Sequence, residues 1–191
     1  MSTEKLFAAL FAVVVVVGAI YFLSPASQDG SGVSATSTPR MVNYTSEAMG
    51  VSFSYPDTYI VDEKDVSTPE RSRHSIVLIR TDDLPLPQNG EGPTAITIDA
   101  FQNDLESLDS RTWITGTNDS NYKLSPDGTI STGTLAGLSA LSFRWSGLYE
   151  GRTTVVAEPA FVYALSVTYL TPEDEILDDF DALLKTVRFT Q

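Results

Sequence analysis

Few side chains in this sequence are of types that do chemistry. His74 is the only histidine and there is no cysteine, so the sequence offers no thiolate nucleophile, disulfide or thiolate metal site. A histidine-based triad also needs a serine in a G-x-S-x-G turn, and the nearest match, residues 137–141 (GLSAL), lacks the second glycine. We therefore interpret His74 as a surface or strand-edge residue.

Residues 120–123 (SNYK) match the S-x-x-K pattern of serine acyl-transfer enzymes by letter only. That pattern requires a catalytic helix, whereas Tyr122 and the following residues 125–128 (SPDG) predict a loop that leads into a turn. The companion motifs S-D-N and K-T-G are missing from the sequence. We expect no catalytic residue here.

Acidic residues of a predicted C-terminal helix are the first candidates for cation binding. Residues 173–175 are followed by Asp178, Asp179 and Asp181, on the side opposite the apolar stripe of that helix. We expect these carboxylates to form a solvated face. Weak binding of a cation or of a basic partner is the alternative.

Acidic and amide residues in two loops are the second candidates. Residues 82–83 and Glu91 flank the loop 84–90 (LPLPQNG), and residues 118–121 and 127–128 supply further oxygen atoms. Their spacing does not match the D-x-[DN]-x-[DN]-G calcium loop, and turn formation explains them without a metal. We predict no metal and no cofactor.

Among the aromatic residues, Tyr149 is the one most expected at the surface, because it lies in the predicted turn 146–151. The two tryptophans, Trp113 and Trp145, are expected in the core. An exposed tyrosine beside charged residues suits contact with another macromolecule. The predicted contact surface consists of Tyr149, Glu150 and Arg152.

The elements that position these residues are predicted to be mostly antiparallel strands, because apolar and polar residues alternate. The predicted strands are 51–55 before a Pro-Asp turn, 75–80, 94–101, a hairpin of 141–145 with 152–157, and 160–170.

One helix is strongly indicated after the last long strand. Thr171 is expected to cap it and Pro172 to occupy its first position. A weaker helix is predicted within 107–117, and residues 187–190 (VRFT) are predicted to form a short closing strand. The apolar stripe of the strong helix is expected to pack on the sheet and consists of Ile176, Leu177, Phe180, Leu183 and Leu184.

The N-terminal part of the chain is hydrophobic. Residues 6–23 (LFAALFAVVVVVGAIYFL) carry no charge, and as a helix they would span roughly 27 Å, close to the ~30 Å hydrocarbon core of a bilayer. We predict a retained transmembrane anchor over residues 1–24, with the N-terminus inside because Lys5 precedes the run. Cleavage after Ala26 is the alternative. The absence of cysteine excludes a lipoprotein anchor.

Residues 25–40 (PASQDGSGVSATSTPR) are small or polar and predict a flexible linker, which leaves residues 41–191 as one domain. That domain accounts for the whole net charge of −13, with 10 basic and 23 acidic residues. Because phosphate binding depends on clustered basic side chains, nucleic acid is not an expected partner.

Several segments together resemble the PsbP-like domain family. They are GVSFSYPDTY at 50–59, the Trp-Ile pair at 113–114, GLSA at 137–140 and the final strand, helix and VRF at 187–189. The resemblance covers residues 41–191 and implies an α+β fold, an antiparallel sheet flanked by helices in an αβα sandwich. Known members include extrinsic photosystem II subunits and small anchored bacterial proteins, and the fold usually serves binding or assembly. No functional residue carries over, because the matching positions are turns and core.

We therefore predict a single-pass protein of the cell membrane whose extracytoplasmic domain binds or supports another envelope protein without catalysis. The alternative is a small extracytoplasmic hydrolase or carbohydrate-active enzyme with carboxylates such as Asp99 and Glu158, which would have to lie roughly 5 to 10 Å apart across a pocket. A third hypothesis is a cation or small-ligand sensor, for which the sequence offers no cytoplasmic signalling domain.

Overall fold

A computed structural model describes residues 39–69, 71–103 and 107–190 of the chain. The predicted anchor at residues 6–23 and most of the predicted linker lie outside the described residues. Within the described ranges, no helix is both long enough and apolar enough to cross a membrane.

Ten strands and two α-helices account for the regular structure of the described residues. The strands are β1 (Met41–Ser46), β2 (Val51–Pro56), β3 (Tyr59–Asp65), β4 (Arg73–Arg80), β5 (Ile96–Gln102), β6 (Ser131–Leu135), β7 (Leu138–Ser146), β8 (Glu150–Ala157), β9 (Phe161–Tyr169) and β10 (Arg188–Phe189). The helices are α1 (Ser110–Gly116) and α2 (Ile176–Thr186). Short 3-10 turns occur at Thr81–Asp83 and Tyr122–Leu124.

The strands form two antiparallel sheets. The larger sheet has seven strands in the order β3-β4-β5-β9-β8-β7-β6, and the smaller has three in the order β1-β2-β10. Strands β3 and β6 are therefore the edges of the larger sheet. The predicted strands are confirmed, including the hairpin of β7 with β8 and the closing strand β10.

The period of two residues along each strand divides the apolar side chains between two clusters, one on each face of the seven-stranded sheet. In β9, Leu165 and Val167 belong to the first cluster, whereas Val162 and Ala164 belong to the second. The three-stranded sheet and α2 cover the first cluster, and α1 covers part of the second. Antiparallel sheets with few helices are thus confirmed, although α1 has only seven residues and the small sheet shares one face with α2.

The apolar stripe of α2 is confirmed, but the predicted start of the helix is wrong. Ile176, Phe180 and Leu183 are fully buried, whereas the helix begins at Ile176 and not at Pro172. Residues 171–175 form a turn in which the carboxylate of Asp174 accepts a hydrogen bond from the backbone N–H of Ile176 at 3.2 Å. Asp174, which the sequence places in the first turn of the helix, therefore lies in the turn before it. The residue just before Ile176, Glu175, does not cap the helix with its side chain.

The predicted solvated face of α2 is only partly present. Asp178 is exposed, but Asp179 accepts a hydrogen bond from the hydroxyl of Tyr59 at 2.6 Å and Asp181 forms an ion pair with Arg152. These two carboxylates lie beside the apolar stripe, so they are close enough to the larger sheet to contact Tyr59 of β3 and Arg152 of β8. The expectation that all of them face water is therefore wrong.

The predicted weaker helix is present as α1. It is shorter than the range 107–117, because the carboxylate of Asp109 accepts hydrogen bonds from the N–H groups of Arg111 and Thr112, each at 2.9 Å, and so caps the helix at its start. Trp113 and Ile114 are buried against the second cluster.

Candidate contact surface

The hairpin of β7 and β8 is held by the packing of Trp145. A Cβ added to Gly151 would lie 2.6 Å from Cδ2 of the Trp145 indole, so only glycine leaves room for the ring. The indole N–H donates to the hydroxyl of Thr153 at 3.0 Å, and Trp145 itself is buried. This contact fixes the position of the three-residue turn 147–149 at the end of the sheet.

Tyr149 is half-buried in that turn, although the sequence predicts exposure. Its hydroxyl donates to the backbone carbonyl of Gly92 at 2.6 Å, and so joins the hairpin to the loop before β5. The exposed side chain of the turn is Leu148, which has 61% of its surface accessible. Tyr149 thus positions the turn, and Leu148 is what the turn presents to solvent.

Glu150 and Arg152 point to different neighbours. Glu150 accepts a hydrogen bond from the hydroxyl of Ser146 at 2.8 Å, across the base of the turn. Arg152 lies under α2, where it forms an ion pair with Asp181 and its guanidinium carbon is 5.1 Å from the centroid of the Phe180 ring. The three predicted contact residues thus have separate structural partners, and their role in binding stays a prediction.

Exposed leucines at one end of the seven-stranded sheet form a larger surface. The antiparallel register brings the loop after β4, the loop before β6, the turn between β7 and β8, and the segment after β9 to the same end. Glu150 pairs with Tyr169 across the sheet, so Leu148 and Leu170 follow at adjacent strand ends. This sheet-end surface has four exposed leucines, Leu84, Leu124, Leu148 and Leu170.

The sheet-end surface is surrounded by negative charge. The segments 81–95, 122–130, 147–149 and 170–175 contain seven acidic residues and one basic residue, Lys123. The carboxylates of Asp82, Asp83, Glu91 and Glu173 belong to exposed residues. An apolar patch with an acidic rim is complementary to an apolar patch with a basic rim.

A polar network connects several elements at this end of the sheet. The hydroxyl of Tyr59 donates to Asp179, and Nε of Arg80 donates to the same hydroxyl at 3.2 Å. Arg80 also pairs with Asp174 at 3.3 Å, which connects the end of β4 to the segment that carries Leu170. Burial and the neighbouring Asp179 raise the pKa of Tyr59 well above its ordinary value, so the phenol stays protonated and donates.

Asp99, a carboxylate of the enzyme alternative, lies in an ion pair. It is 8% exposed, and its Oδ1 accepts hydrogen bonds from Nη2 and Nε of Arg73 at 3.0 and 3.2 Å. Burial raises the pKa of Asp99, and the guanidinium of Arg73 opposes that shift. Arg73 also lies over the ring of Phe101, 5.0 Å from its centroid.

Glu158 lies at the connection between β8 and β9, where its backbone N–H donates to the carbonyl of Phe161 at 2.8 Å. It lines a groove of about 500 Å³ with Asn103 and Asp109, and Asp99 does not line that groove. The two carboxylates of the enzyme alternative are therefore not brought together across this groove.

The other sequence candidates for catalysis have structural contacts. The buried hydroxyl of Ser120 donates to the carbonyl of Ile114 at 2.7 Å, and Lys123 forms a hydrogen bond with Asn118. The segment forms a loop and a 3-10 turn, as predicted. His74 lies in β4 opposite Asp65 and Ala100 on the neighbouring strands.

Two of the acidic loop residues stabilise turns or pair with arginine. Asp127 accepts a hydrogen bond from the N–H of Thr129 at 2.8 Å, and Asp119 pairs with Arg71 at 2.5 Å. Among the described residues, no group of three His, Asp or Glu side chains is arranged to hold a metal ion.

Comparisons with known proteins give structural likeness only. No protein-family model matches the sequence, and no curated protein matches it. The solution structure of cyanobacterial PsbP (CyanoP) from Synechocystis sp. PCC 6803 is similar, with a TM-score of 0.49, 11% identity and coverage of 83% of this chain and 98% of that chain.

A crystal structure of a protein from Bacteroides thetaiotaomicron VPI-5482 is also similar, with a TM-score of 0.49 and 11% identity over 78% of this chain. This chain spans 48% of the length of that protein. A PsbP-like domain is thus among the similar structures, as the sequence motifs predict, and no function is taken from this likeness.

Proposed function

We propose that this protein is a membrane-anchored, extracytoplasmic binding domain that contacts another envelope protein through the sheet-end surface and catalyses no reaction. The observation that carries the proposal is the placement of four exposed leucines from four separate loops at one end of the sheet. Exposed apolar side chains that cluster on a soluble domain mark interaction surfaces more often than chance.

Two features support binding at this surface. The hairpin and the segment after β9 are fixed by the Trp145–Gly151 packing and by the Arg80–Asp174 ion pair, so little side-chain and loop ordering would oppose association. The acidic rim favours a partner with apolar residues inside a ring of lysine and arginine. Anionic phosphate surfaces are disfavoured for the same reason.

The polar residues support a domain without catalysis. Asp99 is in an ion pair with Arg73, and Ser120 donates to a backbone carbonyl, so both side chains already have a role in the fold. Glu158 lines a groove that Asp99 does not line, so the two carboxylates do not face each other across it.

Photo-crosslinking in native membranes tests the proposal. A photoreactive amino acid at position 148 or position 170 is expected to capture one and the same partner, whereas the same group at Val66 should not capture it. Val66 is also an exposed apolar residue, but it lies at the other end of the sheet, after β3. Equal capture from all three positions, or different proteins from 148 and 170, would contradict the proposal.

The anchor has a separate test. If residues 6–23 are retained in the membrane, the protein stays in the membrane fraction through washing with high salt and carbonate, and its mass includes the N-terminus. A mature chain that begins at Ser27 and is soluble outside the membrane would show cleavage after Ala26.

A further inference from the structure

A second groove of about 500 Å³ lies on the α2 side of the seven-stranded sheet, opposite the side that carries the Glu158 groove. It is bordered by the β6–β7 hairpin and the C-terminal end of α2. Its apolar lining includes Leu135, Ala140 and Leu184. Ser142 and Thr154 also line it, and their hydroxyls are 2.9 Å apart in a mutual hydrogen bond. None of these residues belongs to the sheet-end surface.

The groove borders an unprotected edge strand. Strand β6 (STGTL) is the last strand of the larger sheet, and its first four residues are exposed. It contains no charge and no proline, which are the residues that commonly prevent a strand edge from pairing with another chain. In the described part of the chain, β7 is the only strand that pairs with β6.

The register of the β6–β7 hairpin shows which backbone groups are available. Ala136 and Gly137 form a two-residue turn with φ of 52° and 84°, which closes the pair Leu135–Leu138. Backbone groups of an antiparallel strand point alternately toward and away from its neighbour, so the N–H and C=O of Thr132 and Thr134 point away from β7. No strand of the described residues pairs with these groups, so an added strand can pair with them.

Gly133 leaves the groove open. It shares a strand face with Leu135, which belongs to the first hydrophobic cluster under α2. A Cβ at Gly133 would meet no atom of the described residues within 4 Å, so none of them fills the space above this residue on the α2 side. An apolar side chain of an added strand can occupy that space.

Two cations line the same groove. Lys185 and Arg188 are exposed, and neither takes part in an ion pair within the described residues. Nη1 of Arg188 donates to the carbonyl of Val187 at 2.6 Å, which holds the side chain near the end of α2. Asp181, one helical turn before Lys185, is paired with Arg152. In a chain with a net charge of −13, these two side chains form a local patch of positive charge beside the groove.

We propose that this groove binds the C-terminal segment of a partner polypeptide. The segment adds to β6 as an extended strand through the backbone of Thr132 and Thr134, places an apolar side chain over Gly133, and presents its terminal carboxylate to Lys185 and Arg188. Strand addition supplies backbone hydrogen bonds, and the groove with its cations supplies specificity. The site does not depend on the sheet-end surface or on its partner.

Selection from a displayed library of short random peptides with free C-termini tests this inference on the full chain in detergent. We expect peptides with an apolar residue near the C-terminus to be enriched. The affinity of the enriched peptides is then measured in solution. Amidation of the peptide's terminal carboxylate should lower it by about tenfold or more, and so should the double substitution Lys185→Glu with Arg188→Glu.

Two strand variants separate the groove from the fold. Gly133→Val places a side chain in the groove at a strand position that favours β-branched residues, so binding should fall by about tenfold or more while thermal stability is kept. Ser139→Val, at an exposed position of the neighbouring strand β7 that does not line this groove, should leave affinity within about twofold. A library without enrichment, or peptides that bind Gly133→Val or the amidated form as well as the original, would overturn the inference.

Discussion

The indole of Trp145 lies over the backbone of Gly151, so close that a Cβ on Gly151 would be 2.6 Å from the Cδ2 atom of the ring. This contact crosses the hairpin just below the turn that presents Leu148. It links a core tryptophan to the geometry of the surface through which we propose binding. The contact also makes a direct prediction about stability.

Gly151→Ala should lower the free energy of unfolding by about 1 to 3 kcal/mol, because Trp145 must move from a buried site. Gly133→Ala is the matched control, since a Cβ there meets no atom within 4 Å, and its stability should be unchanged or higher by up to about 1 kcal/mol. Urea melts of the purified variants measure both. Equal effects of the two substitutions would show that the indole does not require the glycine.

Three substitutions in α2 distinguish its buried, bonded and exposed positions. Phe180→Ala should cost about 3 to 5 kcal/mol, because Phe180 is fully buried and Arg152 lies over its ring. Asp179→Ala should cost about 1 to 2 kcal/mol, because Tyr59 loses its acceptor.

Asp178→Ala, at the exposed position of the same helix, should stay within about 0.5 kcal/mol of the original chain. Denaturant melts give the order Phe180, Asp179, Asp178. If Asp179→Ala were as mild as Asp178→Ala, the bond to Tyr59 would contribute nothing to stability.

The pH dependence of stability tests the environment of Asp99. Burial raises its pKa above the ordinary value of 3.8, so the folded chain holds this proton at a higher pH than the unfolded chain does. The resulting stabilisation is complete below 3.8 and is lost as the pH rises through the folded pKa. The stability of the original chain relative to Asp99→Asn should therefore increase as the pH falls from about 7 to about 4.

Melts of both chains across this range measure that difference. Because the substitution also removes the ion pair with Arg73, it is the change of the difference with pH that reports the titration of Asp99. A relative loss of stability in the original chain at low pH would mean that the ion pair with Arg73 outweighs burial and lowers the pKa.

The proposal that the domain catalyses no reaction predicts that substitutions at the candidate catalytic residues leave binding unchanged. His74→Ala, Ser120→Ala and Asp99→Asn should each preserve partner affinity, since none of these residues lies at the sheet-end surface. Ser120→Ala should still lower stability by about 1 kcal/mol, because the buried carbonyl of Ile114 loses its donor. Hydrolysis of ester, glycoside or peptide substrates that disappears with one of the three substitutions would support the enzyme alternative instead.

The strands and the buried face of α2 could be predicted because each leaves a period in the sequence, as in β9 and in the stripe from Ile176 to Leu184. The polar partners of the α2 side chains could not be predicted in this way. The period of a helix shows which side is apolar, but it does not show that Asp179 reaches Tyr59, a residue 120 positions earlier. The predicted start of α2 is wrong for a related reason. Asp174 accepts hydrogen bonds from the N–H of Ile176 and from Arg80, and no helical period in the sequence indicates these contacts.

The sequence predicts the hairpin turn between β7 and β8, but not the other parts of the proposed sheet-end surface. The hairpin turn was recognised, but the exposed residue in it is Leu148, because Tyr149 bonds to Gly92 in a loop 57 positions away. Leu84, Leu124 and Leu170 belong to other loops, which come together only through the strand order of the sheet. No local pattern in the sequence marks such a set.

The affinity of the crosslinked partner for surface variants tests the central claim most directly. Leu148→Asp together with Leu170→Asp changes two side chains that are 61% and 68% exposed, so the fold should be kept while the affinity falls by about tenfold or more. Val66→Asp, at the opposite end of the sheet, is the matched control and should leave affinity within about twofold. If the double variant binds the purified partner as tightly as the original chain and the Val66 variant do, the sheet-end surface is not the binding site.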